Sequence, residues 1–426
     1  MWLKSCTPTH SVLRFAITRW ISRAGLACLL IVMNHSTAYS HLPVDSDNWS
    51  AFHNAIFVIE KFWIAVPVFF VISGYCIAAA ADNHRRSNRS NLEYFTRRFR
   101  RIYPPFWIWV IASSTMLVVA SPFLQPTFFG ADRTGLPKPT TLSAWQWLGN
   151  LTLTEGWRGL YFDDGIRFLQ EHFWTLGYEE QFYFIAGVVL IVSRKYLFHG
   201  FLAVTAATAW FRLTQIQADG LFLDGRWFMF AAGILVFYWL HLANSRARKF
   251  WLVVLFLALI WRLSSILELM TAPTNHIAPS CGVAFLFAFL LLAIYPLDLR
   301  IDQATVLRPI KFCGHMCYSV YLVHLPIVRT IGKLMSQAGM NGGAETLLIT
   351  VPVCVIVSVF TGWLFHLSVE RNFLNKPTVR DAENSRADTV FGRIFRARPI
   401  AADQKALASS AIHHKHSEAN RTRQLP

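Results

Sequence analysis

Apolar residues in this chain come in long uninterrupted runs rather than at the spaced positions of a water-facing surface. Ten such runs lie near 17–40, 62–81, 102–122, 173–193, 196–214, 222–242, 250–268, 278–296, 312–334 and 346–368. Each is close to the roughly 20 residues that an apolar helix needs to cross a hydrocarbon core. The pattern therefore predicts an all-α fold, a polytopic membrane helical bundle of about ten transmembrane helices. No segment repeats at a fixed period. The longest interval, 123–172, mixes Gly, Pro, Trp and balanced charge, and its stretch from Leu142 to Leu153 is amphipathic enough to lie at an interface or re-enter. After about Lys376 the chain turns polar and basic, so residues 1–375 form the expected membrane domain and 376–426 an expected disordered cytoplasmic tail.

Composition agrees with the pattern. The chain is 54% hydrophobic and only 15% charged, against about a quarter charged in an average soluble domain. Its formal net charge of +16 raises nucleic acid as a partner. With no binding motif and no soluble basic domain, the charge instead marks cytoplasmic loops and contacts with membrane lipids. Seven cysteines, an odd number set mostly in apolar stretches, do not form a disulfide framework. Cys313 and Cys317 are one helical turn apart, but no further Cys/His set completes a metal site, so no metal is expected. The first run is broken by Arg19 and Arg23, lacks a small-residue cleavage site, and reads as a retained span.

The loops alternate in charge. Lys4, Arg14 and Arg19 precede the first span. Asp45, Asp47 and Glu60 follow it, and Arg85, Arg86, Arg89, Arg97, Arg98, Arg100 and Arg101 follow the second. Basic clusters then recur on every second connection, which puts both termini in the cytoplasm.

Ionisable groups within spans are costly and mark function by default. His35 lies deep in the first span, His324 at a comparable outer depth in the ninth, and Glu179 with Glu180 two turns into the fourth. Imidazole and carboxylate at similar height on three helices can serve as a general base toward a hydroxyl. On the opposite side, RRFRRIYPPFW holds Arg97, Arg98, Arg100 and Arg101 at the start of the third span. Arginine forks suit phosphates, and Tyr103, Phe106 and Trp107 offer rings for stacking. A topogenic stop with lipid-headgroup contact accounts for the same charge.

Taken in order, these segments resemble the membrane-bound acyltransferase 3 family, the integral-membrane O-acyltransferases of bacterial surface polysaccharides. The resemblance runs from about Arg23 to Glu370. RAGLACLLIVMNHS resembles the first-span arginine-to-histidine motif, and VPVFFVISGYCI the SGY/SGF segment, with Phe69, Phe70, Ser73, Gly74 and Tyr75. FWTLGYEEQFYF is similar to the WSLxxExxFY signature, giving Trp174, Leu176, Glu179, Phe182 and Tyr183. RWFMFAAGILVFY resembles a later glycine-containing span. FCGHMCYSVYLVHLPIV resembles GxxSYxxYLxH, giving Gly314, Tyr318, Tyr321, Leu322 and His324, and FHLSVERNF the terminal VERP segment at Glu370 and Arg371.

The resemblance implies transfer of an acyl group, most often acetyl from acetyl-CoA, to a hydroxyl of a cell-surface or lipid-linked saccharide, by a multi-pass protein of the bacterial inner membrane. It implies that Arg98 and Arg101 face the CoA phosphates with Arg23 near the same face, and that His35 is the base or acyl relay. Glu179 and His324 would complete or support the acceptor site. Glu180 is a second candidate to orient the imidazole, while Ser73 and Tyr75 are candidates to hold the thioester carbonyl. Trp174 and Tyr318 enter as motif positions.

Three departures stand out. Arg23 and His35 are twelve positions apart where the family has one fewer, a rotation of about 120°; either a bulge at Gly25 restores the face or Arg23 is not the equivalent. Asn372 stands where proline is expected, and Cys317 replaces the serine of the SY pair. The rival classes are a flippase for a lipid-linked saccharide, which predicts inverted repeats, and a non-catalytic scaffold, which leaves the buried His and Glu unused. A small-molecule acceptor is the rival within the enzyme class. Only about fifty polar residues follow the last span, fewer than a typical catalytic domain.

Overall fold

The computed structural model describes residues 10–40, 50–87, 90–130, 135–162, 165–262, 277–295 and 304–374, leaving aside the side chains of 10–19, 127 and 305. The chain divides into two units, Ile17–Asn375 and a second formed by Met1–Ala16 with Lys376–Pro426. Of the second, only the backbone of residues 10–16, the start of a helix, is described. Asp45, Asp47, Arg89 and the tail lie outside the described residues, as do Lys4 and the side chains of Arg14 and Arg19.

Fourteen helices carry the described fold, and no β-strand occurs among the described residues. They are α1 (His10–Ser36), α2 (Ala51–Glu60), α3 (Ala65–Arg86), α4 (Asn91–Ala120), α5 (Ala144–Leu151), α6 (Glu155–Tyr161) and α7 (Phe173–Val192). Then come α8 (Leu197–Leu213), α9 (Trp227–His241), α10 (Ser245–Trp261), α11 (Ile277–Ile294), α12 (Arg308–His315), α13 (Cys317–Gln337) and α14 (Gly343–Phe373). Over its described residues, every apolar run of the sequence falls on a helix. Five helical stretches, Ala51–Arg86, Asn91–Phe123, Phe173–Val192, Ile277–Ile294 and Gly343–Phe373, are long and apolar enough to cross a membrane, and α8 and α9 are shorter apolar helices.

The apolar surface is turned outward to a degree that water would not tolerate. On α10 only Leu255 is buried, while Phe250, Val253, Phe256, Leu257 and Ile260 are exposed. A continuous outward apolar face of this kind belongs against lipid tails. Inside, helices meet through glycine. A Cβ built on Gly74 of α3 would lie 2.1 Å from the Phe230 carbonyl oxygen, and one on Gly233 of α9 would lie 2.0 Å from that of Val71. Small residues at such crossings let backbones touch, which is how helices associate where no hydrophobic force separates them from solvent.

Gly25 does the same work between α1 and α12. Its Cβ would meet the Ile310 carbonyl oxygen at 2.0 Å, and a Cβ on Gly314 would meet that of Ile21 at 1.9 Å. α1 runs unbroken from His10 to Ser36. The bulge that could have realigned Arg23 with His35 is therefore absent: Gly25 serves contact, and Arg23 stays about a third of a turn round the helix from His35.

Hydropathy placed the third span from 102, but α4 begins at Asn91, capped by Ser90. The arginines consequently sit on a helix rather than in a loop, and its faces sort them. Arg97 pairs outward with Glu93 at 2.7 Å. Arg100 donates to the Asn372 carbonyl at 3.4 Å. Arg98 and Arg101, one turn apart, share the inward face.

Candidate functional site

Four positions of α7 fall on one stripe: His172 at its N-cap, then Thr175, Glu179 and Tyr183. Their spacings of three and four keep them on a single face, and eleven residues at 1.5 Å each stretch that face over about 16 Å. Helix α13 supplies a matching stripe of Cys317, Tyr321 and His324. The two stripes and the inner faces of α3 and α4 enclose a polar track through an otherwise apolar bundle.

At one end are the arginines. The Arg98 guanidinium lies 5.0 Å from the centre of the Tyr183 ring, and its Nε is buried without a protein hydrogen-bond partner. Arg101 is exposed, yet Glu179, Glu370, Tyr183 and Cys317 are all within electrostatic reach of it. Exposure on a residue surrounded in this way marks an opening inside the bundle. Ser73, Cys76, Glu179 and Cys317 are half-buried along the same opening. The Glu179 carboxylate accepts from the Tyr183 hydroxyl at 2.8 Å and from the Ser73 hydroxyl at 3.2 Å. Glu370, buried on a π-turn at His366–Glu370, accepts from Ser319 at 2.5 Å and pairs with His366 Nδ1 at 2.8 Å.

At the other end, three imidazoles gather. His35 of α1 lies 5.4 Å, ring centre to ring centre, from His324 of α13, and His172 lies 4.9 Å from His324. His324 Nδ1 is 2.7 Å from the Tyr321 carbonyl oxygen. A carbonyl can only accept, so Nδ1 carries the proton, and a neutral His324 presents its lone pair on Nε2. That Nε2 is buried and has no protein partner. Tyr321 donates its hydroxyl to the His172 carbonyl at 2.7 Å and lies 3.0 Å from Thr175 Oγ1, which fixes α7 against α13. Beyond the histidines, buried Arg329 pairs with exposed Glu171 at 2.6 Å. Among the described residues, no group of three or more His, Cys, Asp or Glu side chains converges as metal ligands.

Several sequence candidates sit elsewhere. The Tyr75 ring is buried against Trp20 at 4.3 Å, and its hydroxyl is 2.7 Å from His241 Nε2. Trp20 precedes His35 by fifteen residues on α1, about 22 Å, so Tyr75 is remote from the histidines and from any carbonyl held there. Arg23 stacks over Trp20 at 5.2 Å in the same neighbourhood. Glu180 points toward Tyr103 rather than toward an imidazole, because one residue on a helix turns the side chain by about 100°. Trp174 faces away from the track: Arg226 lies 5.4 Å over its ring, and Arg226 pairs with Asp224, which also accepts from Tyr178. Tyr318 donates to the Ile102 carbonyl at 2.8 Å, joining α13 to α4 beside Arg101. The rings expected to stack on a nucleotide are occupied in packing. Trp107 donates to the Leu151 carbonyl at 2.9 Å, Tyr103 to that of Thr152 at 3.3 Å, and Phe106 is fully buried.

Sequence reasoning missed His172, although the stripe 172–175–179–183 was readable as polar residues at helical spacing. It also missed the Arg329–Glu171 pair and the Asp224–Arg226–Tyr178 cluster, which pattern alone does not connect.

A family model described as "Acyltransferase domain" matches residues 25–367. The chain belongs to this acyltransferase family. The matched range contains every residue of the track except Glu370. An uncharacterized protein of Haemophilus influenzae is 32% identical over 133 residues, covering 30% of this chain and 50% of its own. A peptidoglycan O-acetyltransferase, OatA, of Listeria monocytogenes is 28% identical over 139 residues, covering 32% of this chain and 21% of its own. The chain thus spans half or less of the length of these curated relatives. No solved structure matches it significantly.

Proposed function

We propose that this acyltransferase-family protein is a membrane O-acyltransferase that moves an acyl group, acetyl first among candidates, from acyl-CoA to a hydroxyl of a cell-surface or lipid-linked saccharide. The observation that carries the reading is the polar track, with guanidinium groups at one end and an uncommitted imidazole lone pair at the other. The peptidoglycan O-acetyltransferase relative supports a saccharide as acceptor. The positive-inside pattern supports a cytoplasmic arginine end and both termini in the cytoplasm, and the bacterial relatives support a bacterial inner membrane.

On this reading the CoA phosphates are held by Arg98, whose Nε has no protein partner, and by Arg101, exposed one turn on. The thioester reaches along the α3–α7–α13 track past Ser73, Glu179 and Tyr321. At the histidine end, His324 Nε2 accepts the proton of the acceptor hydroxyl, whose oxygen attacks the thioester carbonyl carbon. The C–S bond then breaks, and CoA leaves as its thiol with the proton returned by His324. His35 packs 5.4 Å from His324, ring centre to ring centre. Within this mechanism it positions the base. Its role as direct base or acyl relay is the other arrangement that the same cluster supports.

The test is transfer itself. Membranes holding the protein are incubated with radiolabelled acetyl-CoA and with peptidoglycan fragments or lipid-linked glycans. Label in the glycan that is released by mild alkali, as an ester is, and absent in His324→Gln, is the expected result. Wild-type membranes that transport a lipid-linked glycan but never label it would overturn the reading.

A further inference from the structure

Building on the acyl-transfer reading, we infer that His172 is a third catalytic residue, the N–H donor that stabilises the oxyanion formed when the acceptor attacks the thioester.

Its surroundings single it out. The His172 side chain is 6% exposed, and neither Nδ1 nor Nε2 meets hydrogen-bond geometry with a protein group, the Tyr321 main chain lying near the ring but out of line. A buried polar group left unsatisfied carries an uncompensated desolvation cost, so an idle imidazole with one donor and one acceptor is an expensive way to fill space. Phe or Leu would pack against Phe173 and Tyr321 at no such cost. The residue is also held in place. Asn150 accepts from the Leu169 amide at 2.7 Å and donates to the Arg167 carbonyl at 2.8 Å. Glu155 accepts from the Arg167 amide at 2.7 Å, and Tyr321 clamps the His172 carbonyl itself. The chain leading into α7 is therefore strapped down on both sides of the imidazole.

The chemistry follows from charge. His324 and His35 are close neighbours and Arg329 is near, while Glu171, the adjacent carboxylate, is committed to Arg329. Burial disfavours a charged ring, and a proton on His172 would place positive charge beside Arg329 and the two neighbouring imidazoles, so it remains the neutral imidazole, with one N–H and one lone pair. His324 already offers the lone pair needed to take a proton. His172, 4.9 Å away, offers the complementary N–H. The two oxygens of a tetrahedral adduct share one carbon, so their receptors must be close neighbours, and these two rings are. In the step, the acceptor O–H proton passes to His324 Nε2, the new C–O bond forms, and the carbonyl π pair moves onto oxygen. The His172 N–H donates to that oxygen throughout without transferring its proton. Collapse of the adduct restores C=O, breaks C–S, and sends the proton from His324 to the CoA sulfur. A neutral imidazole acting as hydrogen-bond donor at a developing oxyanion is established chemistry.

The experiment compares His172→Gln, which retains an N–H, with His172→Phe, which retains ring shape and loses it. Purified, monodisperse protein is assayed with acetyl-CoA and a glycan acceptor, and kcat and both KM values are determined. His172→Phe is expected to lose about 10²–10³ in kcat with both KM values within about threefold, as for removal of an oxyanion donor. His172→Gln is expected to stay within about tenfold of wild type. If Phe proves unstable, His172→Leu takes its place. Equal losses in Gln and in the apolar variant overturn the donor role, as does an apolar variant with more than a third of wild-type kcat. Wild-type protein that transfers no acetyl sinks the underlying reading instead, so the two failures are distinguishable.

Discussion

The contact between α1 and α12 gives the sharpest test of how the fold holds its chemistry. Gly314 approaches Ile21 so closely that an added Cβ would lie 1.9 Å from the Ile21 carbonyl oxygen. An unstrained carbon–oxygen contact is about 3.4 Å, so Gly314→Ala demands that the two backbones separate by about 1.5 Å. Neither partner is a side chain that could swing aside. The displaced helix is α1, which carries His35, while α12 leads through Met316 into α13, which carries His324. Overpacking of this kind costs about 1–3 kcal/mol, and a shift of about 1 Å in catalytic geometry can cost 10²-fold in rate. Gly314→Ala is therefore expected to lower the melting temperature in detergent and to reduce acetyl transfer at least tenfold more than its loss of folded protein. Gly25→Ala, 2.0 Å from the Ile310 carbonyl oxygen, should do the same from the other side of the contact. The assay is radiolabelled transfer per monodisperse molecule, with fluorescence-detected size exclusion over a temperature ramp. If Gly314→Ala keeps wild-type stability and turnover, α1 is not clamped as described and the histidine geometry does not depend on this contact.

Three further outcomes follow from the site. His324→Gln should lower kcat by about 10²–10⁴, the range for loss of a general base, while membrane levels measured by immunoblot stay unchanged. Arg101→Ala should raise KM for acetyl-CoA by roughly 10–150-fold, the equivalent of a lost charge-assisted contact of about 1.5–3 kcal/mol, and leave KM for the glycan unmoved in steady-state assays. Tyr75→Phe removes only the hydroxyl facing His241. It should destabilise by about 1 kcal/mol in thermal melts and leave kcat unchanged, in contrast to the carbonyl-holding role that its motif position suggested.

Hydropathy located the helices because a lipid-facing helix must be apolar over its whole length, and that signal is local. Their ends were less legible. α4 begins eleven residues before the apolar run at 102, since a polar, arginine-bearing stretch can continue a helix without adding hydrophobicity. The candidate residues were legible as costly groups in apolar surroundings, which picked out His35, Glu179 and His324. Their partners were not. Glu179 and Glu180 are adjacent in sequence and equivalent by composition, yet one meets Ser73 and Tyr183 while the other turns toward Tyr103. Tyr75 and Ser73 lie in one motif, but two residues on a helix differ by about 200° in direction. His172 escaped because it stands at the boundary of a span, where a histidine raises no hydropathic alarm.

The separation of arginines from histidines bears on why such an enzyme is built across a membrane. A donor with several phosphates is strongly charged and cannot cross hydrocarbon, whereas an acyl thioester on a slender arm can reach through a narrow opening. On the proposed reading the charged part stays with Arg98 and Arg101, and only the acyl end travels the roughly 16 Å from Tyr183 to His172. The track suits that passage. Its carboxylates, Glu179 and Glu370, are held by hydrogen bonds from hydroxyls and an imidazole and lie within electrostatic reach of Arg101, which offsets their charge toward the donor's phosphates. Hydroxyls of Ser73, Thr175 and Tyr321 line the way instead. Neutralising either end should consequently produce different defects. Loss of an arginine weakens donor binding, whereas loss of an imidazole leaves the donor bound and the acyl group unreacted. A filter-binding assay with labelled acetyl-CoA on His324→Gln separates them: retained binding without transfer supports a track with two chemically distinct ends. Loss of binding in that variant would show that the histidines hold the donor and that the division of labour is wrong.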